Sequence, residues 1–301
     1  MTELELAGSD VALFCSDMHL GDHAPGTAAL FFERLDAQLG LARPAAASAP
    51  YVASAAPVSH LFLLGDLFEA WVGDDQPDAA AAALIERLRR FTERGGRALV
   101  MRGNRDFLLD VPFPPGSPAA GTPGFSTRSG ALLLDDPCRV RLFDEPVLLA
   151  HGDALCTADL AYQQMRAVVR TPQWQAQLLA QPLPQRLALA RQLRNDSEQN
   201  RYASREIGSD DPYDVVPQAV DAALRAAGTR VMIHGHTHRP GCHRWQLDGA
   251  PAQRLVLPDW LADSDATDGQ ARGGFLRADA ASWRWIAVDG AARLLDHPIE
   301  H

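Results

Sequence analysis

Cysteine is scarce in this sequence, and the few cysteines present stand far apart. They are Cys15, Cys138, Cys156 and Cys242, and no two of them form a C-x-x-C pair. A zinc knuckle or a disulfide framework needs closely or regularly spaced cysteines, so neither is indicated. We therefore expect reduced, mostly packed thiols in a cytoplasmic protein.

Long apolar runs and an excess of positive charge are also missing. No stretch reaches the roughly 18 uninterrupted apolar residues of a membrane span. Residues 1–10 are acidic and lack the basic and apolar regions of a signal peptide. The formal net charge is -10, whereas nucleic-acid backbones are bound mostly through clustered Lys and Arg. The sequence therefore predicts no transmembrane helix, no secretory signal and no nucleic-acid partner.

Length and composition favour one large globular core with insertions. The chain has 301 residues, of which 47 % are apolar, enough for a single core with an appended subdomain. Three stretches rich in Ala, Pro, Gly or Asp are predicted to be surface loops without assigned chemistry. They are residues 42–57, 112–127 and 259–274.

Short apolar runs that each end in a polar cluster predict buried strands. These runs are residues 11–15, 61–64, 99–101, 147–150 and 231–233. Helical patterns with a glycine near their ends lie between them, at residues 27–39, 79–94 and 215–227. Alternating strands and helices predict an α/β layered fold whose site lies at the strand C-termini. The late segments 244–247, 254–257 and 283–288 are interpreted as a terminal antiparallel set.

Residues 157–205 differ from the rest of the chain. Leucine, tryptophan and arginine are frequent there, and the helical pattern is broken at Pro172, Pro182 and Pro184. This pattern predicts several helices, and by itself it is interpreted as a helical hairpin that packs on the core.

Candidate metal ligands stand at the strand ends. Asp17 and His19 are two positions apart, so in an extended segment both point to the same side, and His236 and His238 repeat that spacing. Glycine beside the other candidates lets the backbone turn sharply. Such mixed ligands suit Mn²⁺, Fe²⁺ or Zn²⁺, and without thiolates a structural zinc site is not expected. His234 is interpreted as a hydrogen-bonded strand-end histidine. The full candidate set is Asp17, His19, Asp66, Asn104, His151, His236 and His238.

Taken in order, the clusters D-x-H, G-D, G-N, H-G and G-H-x-H resemble the signature of the calcineurin-like metallophosphoesterases. The resemblance implies an α/β fold with a four-layer α-β-β-α core. It also implies two metal ions: the first bound by Asp17, His19 and His238, and the second by Asn104, His151 and His236. Asp66 would bridge both ions. In such sites the ion pair ionises a water and neutralises the attacked phosphoryl group.

Arg105 is a departure from most of that superfamily, which has histidine after the Gly-Asn pair. Arginine stays protonated and cannot act as a general acid, but it can hold phosphate oxygens in a bidentate fork. A phosphate monoester leaves a pyrophosphate as a stable anion, because its second pKa is about 6. Arg105 therefore favours a substrate with a P-O-P bond.

Five longer motifs, residues 14–20, 64–75, 103–109, 151–157 and 234–240, are similar to those of the UDP-2,3-diacylglucosamine hydrolase family. The similarity spans about residues 11–258. It implies hydrolysis of UDP-2,3-diacylglucosamine to UMP and 2,3-diacylglucosamine 1-phosphate (lipid X) in lipid A biosynthesis. Two Mn²⁺ ions and water attack on the α-phosphate are implied as well. The enzyme would be peripheral on the cytoplasmic face of the inner membrane, with no obligate protein partner.

Under this resemblance, residues 157–205 become a helical lid for acyl chains, and residues 1–156 and 206–301 form the core. Leu and Trp of the lid would line the acyl groove, and its arginines, Arg186 among them, would meet phosphates or anionic lipid. Asn104 and Arg105 are the implied catalytic residues. The implied substrate contacts are Asn104, Arg105, Asp159, Ser197, Arg201, Arg205 and His236.

Two other functions compete with this interpretation. A soluble nucleotide pyrophosphatase or another phosphodiesterase would use the same chemistry, although the apolar lid counts against a soluble substrate. A metal-binding adaptor without turnover would use the same fold, although every ligand position holds a competent residue. Comparing the hydrolysis of acylated and deacylated UDP-glucosamine distinguishes the lipid substrate from a soluble one. An assay for turnover of pyrophosphates or phosphodiesters with Mn²⁺ distinguishes an enzyme from an adaptor.

Overall fold

The computed structural model describes residues 4–41, 56–205, 213–263 and 271–295, with side chains of the helix that ends at Arg205 described only to Arg194. The strands of these residues form two sheets, with the orders β1-β6-β7-β8-β10-β9 and β13-β12-β11-β2-β3-β4-β5. The strands are β1 (Leu4–Leu6), β2 (Val11–Cys15), β3 (His60–Leu64), β4 (Arg97–Met101), β5 (Leu132–Leu134), β6 (Cys138–Leu142), β7 (Glu145–Leu149), β8 (Val231–His234), β9 (Gly241–Leu247), β10 (Ala250–Val256), β11 (Gly274–Asp279), β12 (Ser282–Ala287) and β13 (Ala292–Leu295).

Seven α-helices occur in the same part of the chain. They are α1 (Pro25–Gln38), α2 (Ala79–Glu93), α3 (Phe125–Ser129), α4 (Leu160–Val169), α5 (Pro172–Leu179), α6 (Leu183–Arg205) and α7 (Pro217–Ala227). Among the described residues, none of these helices combines the length and apolar character that crossing a membrane requires.

The apolar residues of β2 and β3 explain the layer order. Both strands are buried along their whole length, because each faces apolar neighbours on two sides. Phe14 and Phe62 point between the sheets and stack at 4.5 Å. On the opposite face, Leu13 and Leu61 pack against α1 and α2.

The second sheet is covered in the same way on its outer face. Leu148 of β7 and Met232 of β8 pack against Leu224 of α7. Helices therefore cover both outer faces of two stacked sheets. The predicted four-layer α-β-β-α fold is confirmed.

The predicted strands and helices of the core all form, with ends that move by a few residues. The prediction that the late segments form one antiparallel set is wrong, because they belong to two different sheets. The β9–β10 hairpin joins one sheet, where β10 also pairs with β8, and β12 joins the other, where β11 pairs with β2. Two loop predictions also need correction. Residues 112–127 run into α3, and residues 259–274 contain a bridge between Leu261 and Arg272. Most of the 42–57 stretch lies outside the described residues.

The several helices predicted over residues 157–205 form as α4, α5 and α6, so the segment has three helices rather than the two of a hairpin. Pro172 is the first residue of α5, where its missing N–H costs nothing, and Thr171 caps that helix through Trp174 N. Pro182 directly precedes α6. Pro184 lies within the first turn of α6, where proline is tolerated. The helix break predicted at Pro184 is therefore wrong.

Arg186 has a structural role instead of the predicted contact with phosphate or lipid. Its side chain is 1 % exposed, and its guanidinium donates to both carboxylate oxygens of Asp75 at 2.9 and 2.5 Å. The same group also donates to the carbonyl oxygens of Val72 and Gln181. These bonds fasten α6 to the loop after β3.

Replacing Arg186 with methionine is expected to lower the free energy of unfolding by about 2 kcal/mol. The figure is below that of a fully buried pair, because the Asp75 side chain left behind is 20 % exposed. Urea unfolding measures the change. Arg191→Met is the matched control, since Arg191 is an exposed arginine of the same helix. Equal effects in the two variants would contradict the structural role of Arg186.

Candidate metal centre

The turns that carry the candidate ligands have unusual backbone angles. A left-handed conformation costs a non-glycine residue roughly 1–2 kcal/mol, so its repeated use at one place points to function. The extended geometry predicted for Asp17 and His19 is therefore wrong, since both follow β2 in a left-handed turn. Five of the seven candidates have a positive φ: Asp17 (55°), His19 (47°), Asp66 (52°), His236 (67°) and His238 (55°).

Hydrogen bonds between neighbouring loops stabilise these turns. Asp17 N donates to Gly65 O, and His19 N donates to Asp66 O, each over 3.1 Å. Trp260 N donates to Asp17 O over 3.1 Å. The loop after β2 is thereby held against the loop after β3, and their ligand side chains face the same space.

Glycine is needed at this site for two different reasons. Gly65 and Gly152 have φ values of 88° and 123°, which supports the predicted sharp turns. Gly103 and Gly235 are required by close approach instead. A Cβ atom at Gly103 would lie 2.1 Å from Asp66 Oδ1, and one at Gly235 would lie 2.1 Å from Ser16 Oγ.

Gly235→Ala should therefore disturb the site directly. The new methyl group would also lie 2.2 Å from Asp17 Oδ2, so we expect unfolding free energy to fall by about 1–3 kcal/mol. Mn²⁺ affinity should fall with it, as calorimetric titration can measure. Gly241→Ala is the control, because its Cβ would have no neighbour closer than 3.4 Å. Unchanged Mn²⁺ affinity in Gly235→Ala would argue against this packing.

Asp17, His19 and His238 form a first group of donors that could hold a metal ion. His19 Nε2 lies 3.3 Å from His238 Nε2, and His238 Nε2 lies 3.5 Å from Asp17 Oδ1. Asp17 Oδ1 is buried and has no hydrogen-bond partner. A buried carboxylate oxygen without a partner is costly, and a cation between these three side chains would satisfy it.

Asp66, His151 and His236 form a second such group. Asn104 lies among them, with its Oδ1 3.0 Å from His151 Nε2 and 2.9 Å from His236 Nδ1. His151 Nε2 is also 3.5 Å from Asp66 Oδ1. Imidazole nitrogens, a carboxylate and an amide oxygen together suit a divalent transition-metal ion.

Asp66 lies between the two groups. Its Oδ1 faces His151 at 3.5 Å, and its Oδ2 is 3.9 Å from His19 Nε2. Each carboxylate oxygen thus reaches toward a different group. The arrangement fits the bridging role predicted for Asp66, which stays a prediction.

Three of the histidines have an acceptor beside the ring nitrogen that points away from the centre. His151 Nδ1 lies 2.9 Å from Leu64 O, His19 Nδ1 lies 3.3 Å from Glu69 Oε2, and His238 Nδ1 lies 3.4 Å from Asp259 Oδ2. Such partners fix the ring and leave Nε2 available to a metal. Sequence reasoning missed Glu69 and Asp259. A carboxylate amid the apolar residues after Gly-Asp could have indicated Glu69.

The electrostatics of the centre favour positive charge. Burial alone would lower the pKa of His151, but the carboxylates of Asp66 and Asp17 outweigh it and raise that pKa to about 9. Burial would raise the pKa of Asp17, yet the nearby His238 imidazole, followed by the positive charges of His151 and His19, holds that pKa below its usual range. Burial and the charge of His151 lower the pKa of His236 to about 4. The carboxylates thus create a negative potential suited to cations.

His234 lies beside this centre but belongs to neither donor group. It is fully buried, its Nδ1 is 2.8 Å from Gly235 O, and burial lowers its pKa to about 3. This agrees with the interpretation of His234 as a hydrogen-bonded strand-end residue.

Four of the predicted substrate contacts, Asn104, Arg105, Asp159 and His236, border a cavity of about 70 Å³ that opens beside the donors. Asp159 also caps α4 by accepting from Tyr162 N at 3.0 Å. Three others, Ser197, Arg201 and Arg205, lie in the last part of α6, where only the helix is described, so their contacts stay predictions.

A second and larger cavity, of about 290 Å³, lies between α4, α5, α6 and the core. It shares Asn104, Arg105 and Tyr162 with the smaller cavity, so the two spaces adjoin. Many of its lining side chains are apolar: Phe107, Leu108, Met165, Val169, Trp174, Leu178, Leu187, Leu189 and Leu193.

Arg166 of α4 and Arg170, which directly follows it, tie that helix to the ligand loops. Arg166 Nε donates to Asp153 Oδ2 over 2.8 Å. Arg170 Nη2 donates to Gly103 O over 2.8 Å, directly before Asn104. The wall of the larger cavity and the candidate metal centre are therefore mechanically joined. Neither arginine was singled out by sequence reasoning.

Comparison with known proteins gave relatives along most of the chain. The UDP-2,3-diacylglucosamine hydrolase of Stenotrophomonas maltophilia (strain R551-3) is 40 % identical and covers 90 % of this chain and 96 % of the relative. That of Bordetella pertussis is 43 % identical, covering 93 % and 95 %. That of Chromohalobacter salexigens is 46 % identical, covering 66 % and 75 %. No family model matches the chain.

Proposed function

Because the chain belongs to the UDP-2,3-diacylglucosamine hydrolase family, we propose that it cleaves the pyrophosphate bond of UDP-2,3-diacylglucosamine in lipid A biosynthesis. The products are UMP and 2,3-diacylglucosamine 1-phosphate. One observation carries the proposal: seven oxygen and nitrogen donors converge beside Arg105, where an apolar cavity adjoins them. A soluble nucleotide pyrophosphatase is not favoured, since the relatives described above all carry the hydrolase name.

The two donor groups would each hold one Mn²⁺ ion. Asp17, His19 and His238 would bind one ion, Asn104, His151 and His236 the other, and Asp66 would contact both. Two bound cations lower the pKa of an attacking water and neutralise charge on the phosphoryl group. The chain holds these donors in turns with a positive φ, and the surrounding hydrogen bonds offset the cost of that conformation.

Arg105 would hold the substrate phosphates. Its guanidinium lies 3.4 Å from Glu69 Oε1 and borders both cavities. Because arginine remains protonated, it binds phosphate oxygens without giving up a proton. The leaving group is a phosphate monoester whose second pKa is about 6. It therefore departs without a general acid.

The 157–205 helices would act as a lid over the acyl chains. The apolar lining of the larger cavity suits hydrocarbon, and its junction with the smaller cavity at Asn104 and Arg105 would place the pyrophosphate beside the metal centre. A substrate with two acyl chains resides in a membrane. The enzyme would accordingly work as a peripheral protein on the cytoplasmic face of the inner membrane.

Isotope labelling tests the direction of attack. UDP-2,3-diacylglucosamine is hydrolysed with Mn²⁺ in ¹⁸O water, and both products are analysed by mass spectrometry. Label in UMP is the expected result, because water attacks the α-phosphorus. Label in the lipid product would overturn this mechanism.

Removing the acyl chains should weaken the reaction. If the larger cavity binds them, part of that binding energy supports catalysis. We expect kcat/KM for deacylated UDP-glucosamine to fall at least about 30-fold, or ~2 kcal/mol. Steady-state assays with both compounds provide the comparison. Equal rates would favour a soluble nucleotide pyrophosphatase.

A further inference from the structure

Glu69 lies between the candidate metal centre and the lid, and it is not one of the candidate metal ligands. It follows Asp66 by three residues, and its side chain is only 14 % exposed. Leu67 and Phe68, between the two carboxylates, are fully buried or nearly so. The backbone at Glu69 is pinned by a hydrogen bond from its N–H to Leu20 O over 3.0 Å. The point from which the side chain starts is therefore fixed.

The two oxygens of Glu69 face different partners. Oε2 lies 3.3 Å from His19 Nδ1, with His23 Nε2 at 3.9 Å. Oε1 lies 2.7 Å from Arg194 Nη1 and 3.4 Å from Arg105 Nη1. His19 is a candidate metal ligand, Arg105 follows the candidate ligand Asn104, and Arg194 belongs to α6 of the lid segment. One carboxylate thus contacts the centre, the phosphate-binding arginine and the lid.

We propose that Glu69 is a positioning residue that couples the lid to the metal centre, by holding His19 with one oxygen and Arg105 and Arg194 with the other. On the His19 side, the acceptor keeps the ring oriented with Nε2 toward the metal. On the arginine side, the negative charge holds two guanidinium groups next to each other, where they would otherwise repel.

Loss of the Glu69 charge therefore has two separate consequences. Glu69→Gln retains the shape of the side chain but cannot neutralise two guanidinium groups. Arg194 would then leave Oε1, and the α6 turn around it would open more often. His19 Nδ1 would then face a neutral amide in place of a carboxylate. Any effect of Glu69 on turnover rests on the proposed function. The test below measures metal binding and amide exchange, which do not require turnover.

The test measures two quantities on the full chain. Mn²⁺ affinity is determined by calorimetric titration, and amide hydrogen exchange of residues 187–194 is followed by mass spectrometry on metal-free protein. For Glu69→Gln we expect Mn²⁺ binding to weaken about tenfold, the lower end of such effects, and residues 187–194 to exchange several-fold faster. Wild-type values for either quantity in this variant would overturn the proposal.

Two further variants distinguish the contact of Glu69 with Arg194 from its contact with His19. Arg194→Gln should accelerate exchange of residues 187–194 while leaving Mn²⁺ affinity within about twofold, because the His19 contact remains. Unchanged exchange in Arg194→Gln would also overturn the proposal, whether or not Glu69→Gln folds. Glu86→Gln is the matched control, since Glu86 pairs only with Arg89 on the exposed side of α2 among the contacts described. A wild-type protein without hydrolase activity would defeat the proposed function and leave both readouts unaffected.

Discussion

Replacing Asp66 with alanine should lower kcat/KM for UDP-2,3-diacylglucosamine by at least about 1,000-fold, or ~4 kcal/mol. Asp66 has one oxygen toward each donor group, 3.5 Å from His151 and 3.9 Å from His19. In the proposed two-ion centre its loss would remove a ligand from both ions at once, and bound ions of this kind stabilise a transition state by several kcal/mol. Steady-state kinetics with saturating Mn²⁺ measures the effect, and titration should show fewer than two bound ions.

Asp22→Ala is the matched control for this variant. Asp22 is an exposed aspartate on the loop that follows His19, so it shares the charge and neighbourhood but not the burial. We expect it to retain wild-type kinetics. Near-native activity of Asp66→Ala would contradict a centre in which one carboxylate serves both ions.

Arg105→His should weaken the preference for a phosphate leaving group over an alcohol leaving group. Histidine can give up a proton, whereas Arg105 can only bind phosphate oxygens. Loss of a charged clamp at the transition state costs between about 100- and 1,000-fold in rate, and we expect that loss for the pyrophosphate substrate. A phosphodiester with a simple alcohol leaving group should lose much less, because the new histidine can protonate the alkoxide.

The informative quantity is the ratio of kcat/KM for the pyrophosphate to that for the alkyl phosphodiester. This ratio should fall at least about tenfold, or ~1.4 kcal/mol, in Arg105→His. Arg97→His controls for the general effect of the substitution, because Arg97 is exposed at the opposite end of β4. A parallel loss on both substrates would show that Arg105 does not determine the class of leaving group.

Much of this architecture could be predicted from local sequence. The strands that deliver the ligands are runs such as residues 11–15, buried on both faces and therefore continuously apolar. Because parallel strands end at the same edge, polar residues after them had to converge. The candidate ligands are therefore predictable from the sequence.

Other features depend on contacts that sequence spacing does not encode. The positive φ of Asp17 and His19 follows from hydrogen bonds to the loop after β3. Residue spacing does not reveal these bonds, and for that reason the spacing predicted an extended segment. Asp259 reaches His238 from a stretch that composition marks as a loop. Arg186 resembles its exposed neighbours in composition, yet Asp75, 111 positions away, fixes it in the interior. Long-range pairing decided each case.

The proposed chemistry requires a pair of cations held by donors that are far apart in the chain. Crystals grown with Mn²⁺ and measured at the manganese absorption edge would test it most directly. Two anomalous peaks are expected, one among Asp17, His19 and His238 and one among Asn104, His151 and His236, with Asp66 between them. A single peak, or peaks away from these side chains, would contradict the two-ion centre.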